Sequence, residues 1–141
     1  MKVIKGRYTL FCDVDDTLVL YRAPEDYPGT KVTIKFENNL YGGFSSESTL
    51  AVNEAAIEAL KDHKRKGAII VVWSQGGWDW AESVVKALKI DKLVDYVVEK
   101  PSVVFDDLSM GVWSPRRQLP LPKGWEERLE GLVYIGEDGD V

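Results

Sequence analysis

Hydrophobic positions along this chain follow two periods, one typical of strands and the other of helices. Residues 8–12 form a short apolar run that predicts a central strand. Residues 68–73 are apolar at nearly every position, as a parallel strand covered on both faces requires. Short strands are also predicted at 96–98 and 103–105, and an edge strand at 132–135. Together these runs outline a sheet.

Two helices are predicted between the strands. Asn53 is a good N-cap and Gly67 a good C-terminal stop, so the first helix lies between them. The second helix follows the segment 74–77. Its apolar face is formed by residues that recur with helical spacing, namely Ala81, Val84, Val85 and Leu88.

A β-hairpin is predicted after the first strand. Residues 31–36 alternate between polar and apolar, residues 37–39 can turn the chain, and residues 40–44 form the second strand. Strands separated by helices imply right-handed crossovers and a mostly parallel sheet. We therefore expect an α/β fold of the three-layer, Rossmann-like kind, in which helices flank the sheet. In this interpretation residues 1–141 form one domain, and the hairpin is a small flap at about 30–45.

Composition narrows the class of protein. The chain has 141 residues, of which 45% are hydrophobic, enough for one modest core. A net charge of −5 disfavours nucleic acid and anionic membranes as partners, although a local basic patch could still bind nucleic acid. A single cysteine excludes an intrachain disulfide and is typical of a reducing cytosol. No signal peptide and no run of about 20 apolar residues is present, so we expect a cytoplasmic protein.

Polar side chains follow three of the predicted strands. Asp13 and Asp15 come after the first strand, Ser74 ends the next, and Lys100 and Asp106 flank the last. Because the carboxyl ends of parallel strands meet at one edge of a sheet, these side chains are expected to converge there. Carboxylates packed this closely repel each other unless a cation lies among them. Mg²⁺ suits oxygen ligands and keeps positions open for water and a phosphate, so the pattern predicts phosphate chemistry.

The order of these motifs resembles that of the haloacid dehalogenase superfamily of phosphohydrolases. Its DxDxT motif is matched by Asp-Val-Asp-Asp-Thr at 13–17, directly after an apolar strand. A strand that ends in a hydroxyl residue is matched at Ser74, a lysine followed by proline at 100–101, and an acidic pair at 106–107. A receiver domain places its acidic pair first and its phospho-acceptor in mid-chain, so the order of motifs excludes that class.

The resemblance implies a role for each residue of the first motif. Asp13 would be the nucleophile and form an aspartyl-phosphate, and Asp15 would be the general acid and base. The backbone carbonyl of Asp15 would also bind the metal. Thr17 would steady the loop and help hold the phosphate, while Asp16 is expected to be a bystander.

The later motifs would supply the phosphate and metal sites. Phosphate would be bound by residues that offer a hydroxyl, an amide, close backbone approach or a positive charge, namely Thr17, Ser74, Gln75, Gly76 and Lys100. Mg²⁺ would be held by the carboxylates of Asp13, Asp106 and Asp107 and by the backbone carbonyl of Asp15. The sequence leaves open which residue of the 106–107 pair binds the ion directly.

The expected function is therefore an Mg²⁺-dependent phosphomonoester hydrolase with little or no cap domain. The substrate is a small or macromolecular phosphate, and its identity and the oligomeric state stay open. The alternative is a non-catalytic adaptor that retains the phosphate and metal site but works through partners.

Overall fold

The computed structural model describes residues 1, 3, 5–38, 44–109, 111 and 118–122. These residues form an α/β structure with two sheets and two helices. In chain order the elements are β1 (Tyr8–Cys12), β2 (Val19–Leu20), β3 (Lys31–Asn38), β4 (Phe44–Val52), α1 (Glu54–Arg65), β5 (Ala68–Ser74), α2 (Trp78–Ala87) and β6 (Tyr96–Glu99).

A three-stranded parallel sheet runs in the order β1-β5-β6. Tyr8 is in register with Ala68, and Val71 with Tyr96. The predicted strands at 8–12, 68–73 and 96–98 are thus confirmed, each within about a residue at its ends. In the middle strand β5 consecutive side chains, such as Ile70 and Val71, are buried on opposite faces of the sheet, which explains its nearly continuous apolar sequence.

A second, antiparallel sheet runs in the order β2-β4-β3. Its main pairing extends from Lys31 opposite Ala51 to Asn38 opposite Phe44. An antiparallel pair is thus present, with its first strand extending to Asn38, beyond the predicted 31–36, and its second strand described from Phe44 to Val52. Of the second strand predicted at 40–44, only Phe44 lies within the described residues. Residues 45–49 are all serine, glutamate or threonine, so they carry no apolar period, and pairing with β3 makes them a strand. Residues 39–43 lie outside the described part of the chain.

Both predicted helices are confirmed. The side chain of Asn53 accepts a hydrogen bond from the backbone N–H of Ala56 at 3.3 Å, and Gly67 follows the helix end with a φ of 94°. A positive φ is the conformation that glycine adopts most readily. Residues of both helices share one buried cluster with β5, formed by Ala56, Leu60, Ile70, Val72, Ala81 and Val84.

The strand predicted at 103–105 is wrong. These residues are exposed and belong to no strand of the described structure, with Phe105 fully accessible. Two valines and a phenylalanine favour a strand, but a strand needs a hydrogen-bonding partner that the local sequence does not specify. The edge strand predicted at 132–135 lies outside the described residues.

A membrane-spanning helix would need length and apolar character that no helix in the described ranges has.

Candidate functional site

The loop after β1 is closed around one buried residue. Val14 is fully buried, and its carbonyl oxygen accepts hydrogen bonds from the backbone N–H groups of Thr17, Leu18 and Val19 at 3.2, 2.9 and 3.3 Å. Asp16 has a φ of 54°, which an aspartate tolerates better than most residues. The local hydrogen bonds therefore hold the backbone on both sides of Asp15.

Asp13 is held by two donors. Lys100 Nζ lies 3.1 Å from Asp13 Oδ1, and the Thr17 hydroxyl donates to Asp13 Oδ2 at 3.2 Å. The backbone N–H of Lys100 also donates to the carbonyl of Ser74 at 3.0 Å. Thr17 of the same loop and Lys100 after β6 thus contact Asp13 directly, and Ser74 is bonded to the backbone of Lys100, all at the carboxyl ends of the parallel strands.

Asp15 has a different set of partners. Its Oδ1 accepts hydrogen bonds from the Trp80 indole N–H at 2.9 Å and from the Tyr21 hydroxyl at 3.1 Å. Its Oδ2 lies 3.5 Å from the hydroxyl of Ser74, a long contact. The two neighbouring carboxylates therefore have different electrostatic surroundings, since Asp13 faces an ammonium group and Asp15 faces neutral donors.

Sequence reasoning missed Tyr21 and Trp80. Tyr21 lies in a segment that reads as a loop, and Trp80 is one of five tryptophans with no motif around it. The available signal for Trp80 was positional, because it lies in the first turn of the helix that follows Ser74. Nothing in the local sequence marks Tyr21.

The surroundings of Tyr21 raise the pKa of its hydroxyl. Burial, then the charge of Asp15 and their hydrogen bond, then the charge of Asp16 raise the pKa of Tyr21 to about 12. The Asp16 carboxylate also accepts a hydrogen bond from the backbone N–H of Tyr21 at 2.9 Å. Asp16 is thus more than the bystander that the sequence suggests, because it holds in place a residue that contacts Asp15.

The turn after Ser74 is tight. The Ser74 side chain is fully buried, and its hydroxyl accepts a hydrogen bond from the backbone N–H of Gly76 at 3.0 Å. A Cβ at Gly76 would lie 3.3 Å from both Ser74 Oγ and Trp80 Cδ1. Gly76 and its neighbour Gln75 are both exposed, so their backbone is accessible from solvent. A larger residue would therefore need Ser74 or Trp80 to shift by a few tenths of an ångström.

Cys12 is buried beside Asp13. Burial and, to a smaller extent, the charge of Asp13 raise the pKa of the Cys12 thiol to about 12. The thiol donates weakly to the backbone carbonyl of Asp13 at 3.3 Å. A protonated thiol is a poor nucleophile, which supports its interpretation as a small core residue.

The acidic pair at 106–107 is not gathered with the other predicted ligands. Both residues are exposed, and Asp106 Oδ1 accepts a hydrogen bond from the backbone N–H of Leu108 at 2.8 Å. Across the described part of the chain, no three histidine, cysteine, aspartate or glutamate side chains are placed to hold a metal ion together. The strand that would carry the pair back to the sheet is missing, which explains the separation.

Asp13 and Asp15 nevertheless fit the smaller requirement of Mg²⁺. The ion commonly takes only one or two carboxylates and completes its shell with water and substrate phosphate. The Asp13 carboxylate, which is partly exposed, meets that requirement, and the backbone carbonyl of Asp15 would be a second protein ligand. These two residues therefore fit a magnesium site in which water and substrate supply the other ligands.

Aromatic rings pack against the functional side chains. Phe36 of β3 contacts Trp80 edge-on, with ring centroids 5.7 Å apart and an interplanar angle of 87°. Lys100 Nζ lies 5.7 Å from the ring centroid of Trp73. The Trp73 ring in turn packs against Phe11, with ring centroids 4.5 Å apart. The antiparallel sheet is thus joined to the residue that holds Asp15.

Comparison of the chain with protein-family models, with curated proteins and with solved structures found no match in any of the three.

Proposed function

We propose that this chain is an Mg²⁺-dependent phosphomonoester hydrolase of the haloacid dehalogenase type, which acts through an aspartyl-phosphate on Asp13. The observation that carries the proposal is the contact of Asp13 with Lys100, with Ser74 bonded both to the Lys100 backbone and towards Asp15. Residues from three separate sequence motifs thus lie together at one edge of the sheet. The three-layer Rossmann-like architecture, a mostly parallel sheet flanked by helices, is part of the same proposal.

Asp13 would supply the nucleophile. One carboxylate oxygen forms a bond to phosphorus while the bond from phosphorus to the leaving oxygen breaks. Lys100 offsets the negative charge of both the carboxylate and the approaching phosphate, because its ammonium already lies 3.1 Å from Asp13. The aspartyl-phosphate is then hydrolysed by water, which restores the Asp13 carboxylate and releases inorganic phosphate.

Asp15 would move the protons. In the first step it protonates the leaving oxygen, and in the second it accepts a proton from the attacking water. Both roles need the Asp15 carboxyl group to lie beside the bound phosphate. The Ser74 contact at 3.5 Å supports that placement of Asp15.

The phosphate itself would lie on the turn after β5. The Ser74 hydroxyl, the accessible backbone of Gln75 and Gly76, and the Lys100 ammonium would contact its oxygens. Thr17 supports this arrangement through its hydrogen bond to Asp13.

Asp13 and Asp15 would hold Mg²⁺, and the ion would offset charge between the carboxylate and the phosphate. Asp106 and Asp107 would be further ligands of Mg²⁺, as the sequence resemblance implies. Both small and macromolecular phosphates are retained as substrate classes.

A non-catalytic adaptor is the second candidate. The observation that favours it is the exposed position of the acidic pair, away from the other predicted ligands. Such an adaptor would bind phosphate groups without hydrolysing them.

The deciding experiment is hydrolysis of 4-nitrophenyl phosphate with Mg²⁺ and with chelator, using wild type, Asp13→Asn and Asp91→Asn. Asp91 is an exposed aspartate after α2 and serves as the matched control. We expect turnover that requires the metal, that Asp13→Asn abolishes and that Asp91→Asn keeps. Metal-independent turnover or an active Asp13→Asn enzyme would overturn the mechanism. Phosphate binding without turnover across a panel of phosphate esters would favour the adaptor.

A further inference from the structure

We infer that Trp80 and Tyr21 are positioning residues that orient the Asp15 carboxyl, so that Oδ2 is the oxygen that exchanges a proton with substrate. The inference rests on the proposed function and adds to it two residues that belong to none of the four motifs.

The geometry distinguishes the two oxygens of Asp15. Oδ1 accepts from the Trp80 indole at 2.9 Å and from the Tyr21 hydroxyl at 3.1 Å. An indole N–H can only donate, so a proton on Oδ1 would face another proton. The tyrosine hydroxyl already donates to the same oxygen. A proton on the Asp15 carboxyl therefore belongs on Oδ2.

Oδ2 is also the oxygen on the phosphate side of the site. It lies 3.5 Å from the Ser74 hydroxyl, on the turn where the proposed phosphate would be bound. As the bond from Asp13 to phosphorus forms and the bond to the leaving oxygen breaks, the proton on Oδ2 passes to that oxygen. Asp15 is left as a carboxylate with both donors still on Oδ1. It then takes a proton from the attacking water at Oδ2, which restores the starting state.

Trp80 and Tyr21 are each held in place by a further contact. Trp80 packs edge-on against Phe36 of β3, with 5.7 Å between ring centroids. Tyr21 is fixed through its backbone N–H by the carboxylate of Asp16 at 2.9 Å. Two elements far apart in sequence therefore place a donor on the same oxygen, which restricts rotation of the carboxyl group.

A purely structural role for these residues makes a different prediction from a positioning role. General acid catalysis matters most when the leaving oxygen is strongly basic and little when it is weakly basic. Phenyl phosphate and 4-nitrophenyl phosphate have nearly the same shape but differ in this basicity. A misplaced acid should therefore slow phenyl phosphate more, whereas a general loss of structure should slow both substrates equally.

The test compares kcat/KM for these two substrates in wild type, Trp80→Phe, Tyr21→Phe and the double variant. Trp80→Phe keeps an aromatic ring beside Phe36 but removes the N–H together with one ring of the indole, and Tyr21 is exposed enough for Tyr21→Phe to fold. Trp78→Phe, a change of the same kind on an exposed residue of the same helix, is the control. First-turnover release of phenol by Asp15→Asn is the benchmark for loss of the acid.

We expect the double variant to lose about tenfold more kcat/KM on phenyl phosphate than on 4-nitrophenyl phosphate, a part of the roughly 10²- to 10⁴-fold that general acids contribute. Each single variant should shift in the same direction, Asp15→Asn should show the largest difference, and Trp78→Phe should show none. Equal losses on both substrates, or no loss, would overturn the positioning role while leaving the proposed hydrolase intact. A wild type that hydrolyses neither substrate would overturn both.

Discussion

The ammonium of Lys100 and the carboxylate of Asp13 form an ion pair in which Nζ and Oδ1 are 3.1 Å apart. Lys100 follows the end of β6 and Asp13 follows the end of β1, two strands separated by β5 in the sheet. The pair therefore exists only because the parallel sheet places these strand ends at one edge. Its consequence is that the proposed nucleophile has a compensating charge before a substrate arrives.

Replacement of Lys100 should impair catalysis more than folding. Lys100→Met removes the positive charge that faces Asp13 and the phosphate position, and we expect kcat/KM for 4-nitrophenyl phosphate to fall about 100-fold. Lys100→Arg keeps the charge but changes its shape and should recover part of that loss. Steady-state kinetics checks this, with Lys92→Met as an exposed lysine control. Wild-type rates in Lys100→Met would contradict the role given to the ion pair.

Gly76 should tolerate a methyl group poorly. Because an added Cβ would lie 3.3 Å from Ser74 Oγ and Trp80 Cδ1, Gly76→Ala should shift one of these groups by a few tenths of an ångström. Small misplacements of reacting groups are costly, so we expect a several-fold to about tenfold fall in kcat/KM. None of the residues that the structure describes has an atom within 4 Å of such a Cβ at Gly111, which makes Gly111→Ala the matched control. Equal rates in the two variants would show that the turn after Ser74 is not sterically tight.

Asn53 should be important for stability, because one fully buried side chain meets three groups. Its oxygen caps α1, while its amide donates to the carbonyls of Thr17 at 2.9 Å and Pro122 at 2.8 Å. We expect Asn53→Ala to lower the free energy of unfolding by about 2 to 3 kcal/mol, from the lost cap and the unsatisfied carbonyls. Asn53→Ser keeps a cap but loses the amide donors, so its loss should be intermediate. Urea denaturation measures both, and an alanine variant as stable as the serine variant would contradict the capping part.

Asp95 should make stability depend on acid pH. Burial alone would raise its pKa, but hydrogen bonds from the Lys64 ammonium and the Ile70 backbone N–H, with the charge of Lys64, lower it below the usual 3.8. A carboxyl whose pKa is lower in the folded state stabilises the protein above pH 3.8, and this contribution is lost as the pH falls through the folded-state value.

Asp95→Asn should therefore be less stable than wild type at neutral pH, and the difference should shrink below pH 3.8. Urea denaturation at a series of pH values measures this difference, with Asp91→Asn as the exposed control. A difference that stays constant as the pH falls would contradict the contribution of the ionised Asp95 carboxylate.

Local signals in the sequence determined much of the α/β core. The cap at Asn53, the stop at Gly67 and the apolar run of β5 act over a few residues, so each could be predicted without knowing its surroundings. The apolar face of α2 could be predicted for the same reason. The order of the motifs likewise predicted that Asp13, Ser74 and Lys100 converge, because parallel strands end at a common edge.

The tertiary structure alone decided the features that depend on a partner. The polar segment of β4 is a strand because β3 pairs with it, whereas the more apolar segment 103–105 is not, because it pairs with nothing in the described structure. The donors on Asp15 come from Tyr21 and Trp80, which the fold brings together from a loop and a helix. Such contacts join residues that are far apart in the sequence, so the local sequence around each residue does not predict them.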